Sequence, residues 1–354
     1  MITILTRLGQ YSLLMRPHMD DSKFGSEDSR GLWKPHKLIR YPDVFVWPPK
    51  LAAVLKWVPE YIFPWGLFYG ALAFVVWTFF TPSTERMQVF SIDWIALVFL
   101  RNLFLITLIV GGQHYWLYVK RAQGKAFKFN RKWPDQKRPG FTFGTQLRDN
   151  LFWTFCSGLP IWTAWEVLSL WLYSNSHISM LNIADNPIGF MVLWFFVPLL
   201  HEFHFFWVHK MIHWPPIYKR VHKIHHRNIN PGPWSGLSMH PIEHLVYFSG
   251  FIIYWIVPAH PLHFIHYSML VGLSPAQGHT GFDRIIAGDK TIVHLPYYAH
   301  YLHHRLFEVN YADGTIPLDK WFGSFHDGSP EADEQLARRR ASGSVSVELD
   351  RGKH

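Results

Sequence analysis

Nineteen consecutive residues, Ile62 to Phe80, carry no charge. At 1.5 Å of rise per residue, a helix of that length crosses the roughly 30 Å hydrocarbon core of a bilayer. No water is present there to satisfy a stray backbone N–H or C=O, so such a segment is confined to a helix. Further apolar runs at about 92–112, 151–173 and 187–208 repeat the pattern. The second contains Arg101, which is costly at mid-bilayer and is expected to face protein. Glu166 and Pro160 interrupt the third and are expected to face the bundle. A fifth stretch, Leu245 to Leu273, is broken by Pro258 and Pro261 and carries His260, His263 and His266; it reads as a hairpin that dips in and returns. Aromatics make up 18% of the chain and charged residues only 17%, against roughly 25% charged in soluble domains. The expected fold is therefore all-α: an integral-membrane helical bundle of about four spans plus a re-entrant hairpin.

The loop from about 116 to 149 has nine Lys or Arg against two Asp, whereas the connections near 81–91 and 174–187 share one Arg. By the positive-inside rule the N-terminus and the 116–149 loop face the cytoplasm, and so do residues 209–244 and everything after about 275. The net charge of +9 does not point to nucleic acid, because the basic residues flank apolar runs and lack aromatic-basic interleaving; anionic lipid headgroups are the expected partner. The single cysteine, Cys156, excludes a disulfide framework and a thiolate metal site. Arg7, Arg16 and a broken apolar pattern make the first 20 residues too weak for a cleaved signal peptide. Three regions follow: an N-terminal surface segment over 1–60, a membrane domain over 61–328, and a tail over 329–354 that reads as disordered from about Pro330.

Seventeen of the 23 histidines fall between His201 and His304, and they form three boxes. The first is His209 and His213, the second His222, His225 and His226, and the third His300, His303 and His304. Residues at i, i+3 and i+4 share one helix face, so each box can aim its imidazoles at a common point. Neutral imidazole suits Zn, Cu, Fe and Ni, and the shortage of carboxylates in the boxes argues against Mg and Ca. Eight imidazoles exceed the needs of one ion. Two ions that each keep an open position fit better than a closed four-ligand zinc site, and redox-active iron is favoured because two adjacent ions can share the electrons needed to cleave O2. His201, His204, His244, His260, His263 and His266 read instead as hydrogen-bonded or interfacial histidines.

The residues from about 200 to 328 resemble the fatty acid hydroxylase and sterol desaturase superfamily, especially its C-4 methylsterol oxidase and C-5 sterol desaturase branches. The likeness runs through the first two boxes and the Tyr218-Lys219 link between them. It continues in Met239-His240-Pro241-Ile242-Glu243, in His279-Thr280-Gly281-Phe282-Asp283, and after the third box in Asn310-Tyr311 and Asp319-Lys320-Trp321-Phe322-Gly323-Ser324. The resemblance implies His209, His213, His222, His225, His226, His279, His300, His303 and His304 as metal ligands, and a helical bundle capped by a cytosolic di-metal domain. It also implies O2-dependent oxidation of an unactivated C–H bond of a membrane lipid, sterol-like or fatty-acyl, at two Fe ions. The product is an alcohol, an alkene or an ether cleavage.

A ligating histidine usually donates its other N–H to a carboxylate or carbonyl, which makes Glu243, Asp283 and Asn310 the candidate catalytic residues behind the ligands. Two electrons per turnover come from outside, from a cytochrome b5, ferredoxin or reductase, since the sequence has no cysteine cluster and no glycine-rich dinucleotide fingerprint. The rival readings are a zinc transporter and a Zn-dependent membrane hydrolase. The first lacks paired polar residues along a membrane pathway, and the second would place a Glu or Asp base within the histidine motif. The host membrane is a bacterial inner membrane or the endoplasmic reticulum.

Overall fold

The first apolar run is longer as a helix than as a sequence pattern. In the computed structural model, which describes residues 19–134 and 140–343, helix α1 spans Leu51–Phe80 and bends at Phe63, whose φ of −108° and ψ of 139° are extended. The residue before a proline is pushed out of the helical region, and Pro64 does this here. Helix α2 is Ile92–Val119. Helices α3 (Gln146–Trp153) and α4 (Leu159–Ser174) are joined by a π turn at Thr154–Gly158, and α5 is Pro187–Ile212. Among the described residues α1, α2 and α5 are long and apolar enough to cross a membrane. The fourth expected span, α3 with α4, is helical but is not one of these three; its buried face carries polar Thr163, Glu166 and Ser169 among apolar Leu159, Trp162, Val167 and Leu170.

That polar face explains Arg101. The guanidinium on α2 hydrogen-bonds Glu166 on α4 and Asn102 Oδ1. Glu166 also accepts from Asn102 Nδ2 at 3.2 Å and Ser268 Oγ at 2.9 Å, and the Trp162 indole donates to Ser268 at 2.7 Å. An ion pair out of water survives only when its remaining donors and acceptors are also met, and here they are met from three helices.

The expected hairpin turns where its prolines stand, and its second arm is covered by protein on all sides. After α6 (Pro241–Tyr247) and a short helical stretch, α7 (Pro261–Leu273) is buried at every position. A helix apolar all round belongs in a core, and α7 packs against α1, α4 and α5. Gly272 lets α7 come close to α4: a Cβ there would stand 2.4 Å from the Trp162 ring.

A cap covers one end of the bundle. Strands β1 (Gly25–Glu27) and β2 (Trp33–Pro35) pair antiparallel, as do β3 (Arg284–Ala287) and β4 (Lys290–His294). The segment between α2 and α3 bridges both hairpins, through Leu32 with Asn130 and Lys128 with Phe282. Trp33 is buried against Phe127 and Phe129, with ring centroids 5.7 and 6.3 Å away. The N-terminal segment expected over 1–60 is thus divided: its hairpin belongs to the cap, its end belongs to α1, and residues 1–18 lie outside the described residues.

The third box sits on α8 (Tyr298–Leu306), and the chain goes on to α9 (Pro330–Ala341). Helix α9 begins where the sequence reads as disordered. Ser329 caps it through the Ala332 N–H, acidic residues fill its first turn and three arginines its last, which suits the helix dipole. Leu336 is buried and Arg340 reaches Glu308 at 2.7 Å, so tertiary contacts hold it. The tail from 344 lies outside the described residues.

Candidate metal centre

Four elements bring the histidines together: the last turn of α5 (His209, with His213 as its cap), the turn through Tyr218–His226, the turn Pro275–Gly278 with His279 after it, and α8. They form two buried groups. His209, His213, His222, His226 and His303 make one, and His225, His279, His300 and His304 the other; within each group the nearest ligand nitrogens all lie within 4.8 Å of one another. All nine residues named by the resemblance are here, and His294 and His240 are not. The second box is divided between the groups, since His225 and His226 are adjacent in sequence and project differently.

Four of these imidazoles have their tautomer set by an acceptor. His209 Nδ1 donates to the Tyr311 carbonyl at 2.7 Å, His303 Nδ1 to Val309 at 2.7 Å, and His279 Nδ1 to Pro275 at 2.6 Å. His222 Nδ1 stands 2.6 Å from Glu243 Oε1. A carbonyl oxygen can only accept, so the proton is on Nδ1 and Nε2 presents a bare lone pair. His279 Nε2 then lies 3.2, 2.9 and 3.0 Å from the Nε2 atoms of His225, His304 and His300, and His213, His226 and His303 Nε2 form a triangle with sides of 3.1 to 3.2 Å. One lone pair does not accept three hydrogens. Moreover, Nδ1 of His213, His225, His226, His300 and His304 is buried and makes no hydrogen bond. The packing calls for a cation in each group, and these donors fit one. Two nitrogens bound at about 2.1 Å and at right angles around one ion stand about 3.0 Å apart, which is the spacing found.

Burial, and next the neighbouring imidazoles, hold His213, His222, His225, His226, His300 and His304 well below the ordinary histidine range. They are neutral, the form that binds metal. Burial pushes the Glu243 carboxyl up, and its proximity to His222 makes the pair sensitive to any positive charge at Nε2.

Of the three residues expected behind the ligands, only Glu243 touches one. Asp283 pairs with Arg284 at 2.9 Å. Asn310 acts on the loop: its amide donates to the His326 carbonyl at 2.9 Å and accepts from the His326 N–H at 2.8 Å, and its φ of 55° is left-handed. Val309 and Tyr311, on either side of it, offer the carbonyls that orient His303 and His209. The same loop is held by Asp319, which accepts from the Tyr311 and Ala312 N–H groups, and by Glu202, which accepts from those of Gly314, Thr315 and Ile316. Backbone acceptors leave no mark in a sequence; the signal available was the Asn310-Tyr311 element itself.

Three of the remaining histidines have structural partners. His244 meets Ser157 at 2.9 Å, His263 the Phe190 carbonyl at 2.9 Å, and His204 Ser249 at 3.0 Å. A cavity of about 770 Å³ opens on the centre, lined by His209, His222, His225, His279 and His300 at one wall and by Trp57, Tyr61, Trp65, Tyr69, Pro198 and Leu270 at another.

Comparison with known proteins adds to this geometry. Residues 194–324 match the fatty acid hydroxylase family. A Delta(7)-sterol 5(6)-desaturase of Aspergillus fumigatus is 31% identical over 192 residues, covering 47% of this chain and 55% of that protein. Lathosterol oxidase of Mus musculus is 28% identical over 200 residues, 53% and 64% of the two chains. A Delta(7)-sterol 5(6)-desaturase of Gibberella zeae is 28% identical over 138 residues, 38% and 42%. The chain spans about half the length of the curated relatives it matches. No solved structure matches it significantly.

Proposed function

We propose, from the match of residues 194–324 to the fatty acid hydroxylase family and the likeness to sterol desaturases, that this chain oxidises an unactivated C–H bond of a membrane lipid with O2, using two iron ions held by its nine clustered histidines. The observation that carries the reading is the spacing of the bare nitrogens, 2.9 to 3.2 Å in two groups, beside an apolar cavity. His209, His213, His222, His226 and His303 would hold one ion, and His225, His279, His300 and His304 the other. When bound, the pair supplies the oxidising power to break a C–H bond at the expense of O2 and two electrons.

The protein's own groups supply the rest. Five imidazoles in one group exceed the four ligands that close a structural zinc site, and imidazole also suits iron. Glu243 answers added positive charge at His222, and the carbonyls of Pro275, Val309 and Tyr311 keep three imidazoles from turning. The apolar wall of Trp57, Tyr61, Pro198 and Leu270 excludes water and holds a C–H bond close to the histidines, where placement decides the outcome. Hydroxylation converts C–H, O2, two electrons and two protons to C–OH and one water; loss of a second hydrogen instead gives an alkene and two waters. The electrons come from a separate donor, and the cap faces the cytoplasm as the basic 116–149 loop directs. The oxygenase unit runs from about 61 to 328, with the hairpin of the N-terminal segment contributing to its cap.

The test is metal content and isotope incorporation on detergent-purified protein from iron-rich culture. About two irons per chain, together with heavy oxygen from O2 in a lipid alcohol or O2-dependent formation of a lipid alkene, all lost in a His225→Ala, His303→Ala variant, are expected. One tightly held zinc, or lipid conversion independent of O2, overturns the reading.

A further inference from the structure

The cavity that reaches the histidines has a second polar region that the oxidation does not use. Tyr69 and His266 both line it, and they are only 1% and 2% exposed. Neither the Tyr69 hydroxyl nor either ring nitrogen of His266 makes a hydrogen bond. Buried polar atoms are rarely left unmet in native structures, and three of them on one cavity wall point to a ligand that meets them.

Their position is fixed by Trp194. A Cβ on the neighbouring Gly70 would come within 3.1 Å of the Trp194 ring, and the His266 ring lies 4.4 Å from it. The available groups are a phenol, which donates and accepts, and a neutral imidazole, which does one at each nitrogen. No cation accompanies them: the basic residues of the lining, Lys37, Arg40 and Arg284, belong to the N-terminal segment and β3, whereas Glu60 and Glu202 of the helical part are acidic. A carboxylate or phosphate is not served here, and a neutral hydroxyl or carbonyl is.

We infer that Tyr69 and His266 bind the hydroxyl or carbonyl oxygen of a lipid whose carbon to be oxidised lies further along the same cavity, beside the histidines. The inference rests on the proposed oxidation for the identity of the reacting end, but the binding itself needs neither metal nor turnover.

The test is equilibrium binding of two radiolabelled probes, 1-octadecanol and octadecane, to the full chain stripped of metal and held in lipid nanodiscs, with empty nanodiscs as background. The alcohol is expected to bind at least about tenfold more tightly, as at sites built to hydrogen-bond a group that the analogue lacks. A Tyr69→Phe, His266→Phe variant brings the alcohol down to the alkane and leaves the alkane unchanged. Tyr247→Phe serves as a control, because that hydroxyl lines the same cavity but already donates to the Val271 carbonyl at 3.0 Å; it preserves the preference. Equal binding of the two probes, no detectable binding of the alcohol, or equal weakening of both probes in the double variant overturns the inference. Selective binding without oxidised product leaves this subsite standing and removes the oxygenase reading; product without selectivity does the reverse.

Discussion

Replacing Glu243 by Gln keeps the shape of the side chain and removes its charge, which isolates what the carboxylate does for His222. The contact from His222 Nδ1 to Glu243 Oε1 is 2.6 Å, with both side chains buried. A hydrogen bond to a charged acceptor contributes about 1.5 to 3 kcal/mol and one between neutral groups about 0.5 to 1.5 kcal/mol, so the exchange loses on the order of 1 to 1.5 kcal/mol. The amide N–H also gains no acceptor, because Glu243 Oε2 has no partner now. The expected result is about a five- to twelve-fold loss of metal affinity, at the lower end of the roughly 10- to 100-fold typical of groups behind metal ligands; Glu243→Ala reaches the upper end. The loss falls on the five-histidine group. In a chelator titration read by metal analysis, one ion leaves Glu243→Gln at a concentration that leaves the wild type loaded, and the ion held by His225, His279, His300 and His304 stays. Asp283→Asn is the matched comparison, since Asp283 pairs with Arg284, and it titrates as wild type. If Asp283→Asn weakens the metal as much as Glu243→Gln, or both ions leave Glu243→Gln together, the reasoning from contact to affinity is wrong.

Glu166→Ala strands the buried Arg101 guanidinium and is expected to cost about 3 to 5 kcal/mol, seen as a fall in the thermal midpoint in detergent; Arg101→Met with Glu166→Leu costs less than the sum of its single changes, and strict additivity would refute the coupling. Burial lowers His244 to about 3 from an ordinary 6.5. Between those values the unfolded chain holds a proton that the folded chain does not, so stability falls as pH drops through that window; His244→Gln makes the thermal midpoint decline less between pH 6.5 and 4, and an unchanged slope would contradict the assignment. Stripping the metal lowers the thermal midpoint by the lost binding linkage, about 4 kcal/mol when free metal stands at a thousand times its dissociation constant; restoring iron reverses it, and a midpoint indifferent to chelator would show that the histidine groups fold without an ion.

The histidine ligand set was legible because its pattern is local. Boxes at i, i+3 and i+4 must share a face wherever the helix lies, and the nine residues named from the boxes and the resemblance are the nine that cluster. Their apportioning between two groups was not legible, since adjacent His225 and His226 part only when α8 and the His279 turn close on them. The residues behind the ligands were legible in one case of three. Glu243 is three positions from the helix cap His240 and points at His222, whereas the orienting acceptors for His209, His279 and His303 are main-chain carbonyls that every residue possesses.

The membrane helices show the same division. Long apolar runs determined α1, α2 and α5 by themselves, because backbone polar groups have no partner in hydrocarbon except along a helix. The sequence also determined that Arg101 and Glu166 must face protein, but it took the packing of α2, α4 and α7 to make them partners of each other. That α7 is the centre of the bundle, that α9 is a helix docked through Leu336 and Arg340, and that the N-terminal hairpin closes the cap were decided by tertiary structure alone. Apolar periodicity records that a face is buried but not what buries it, and the partners of these segments lie far away along the chain.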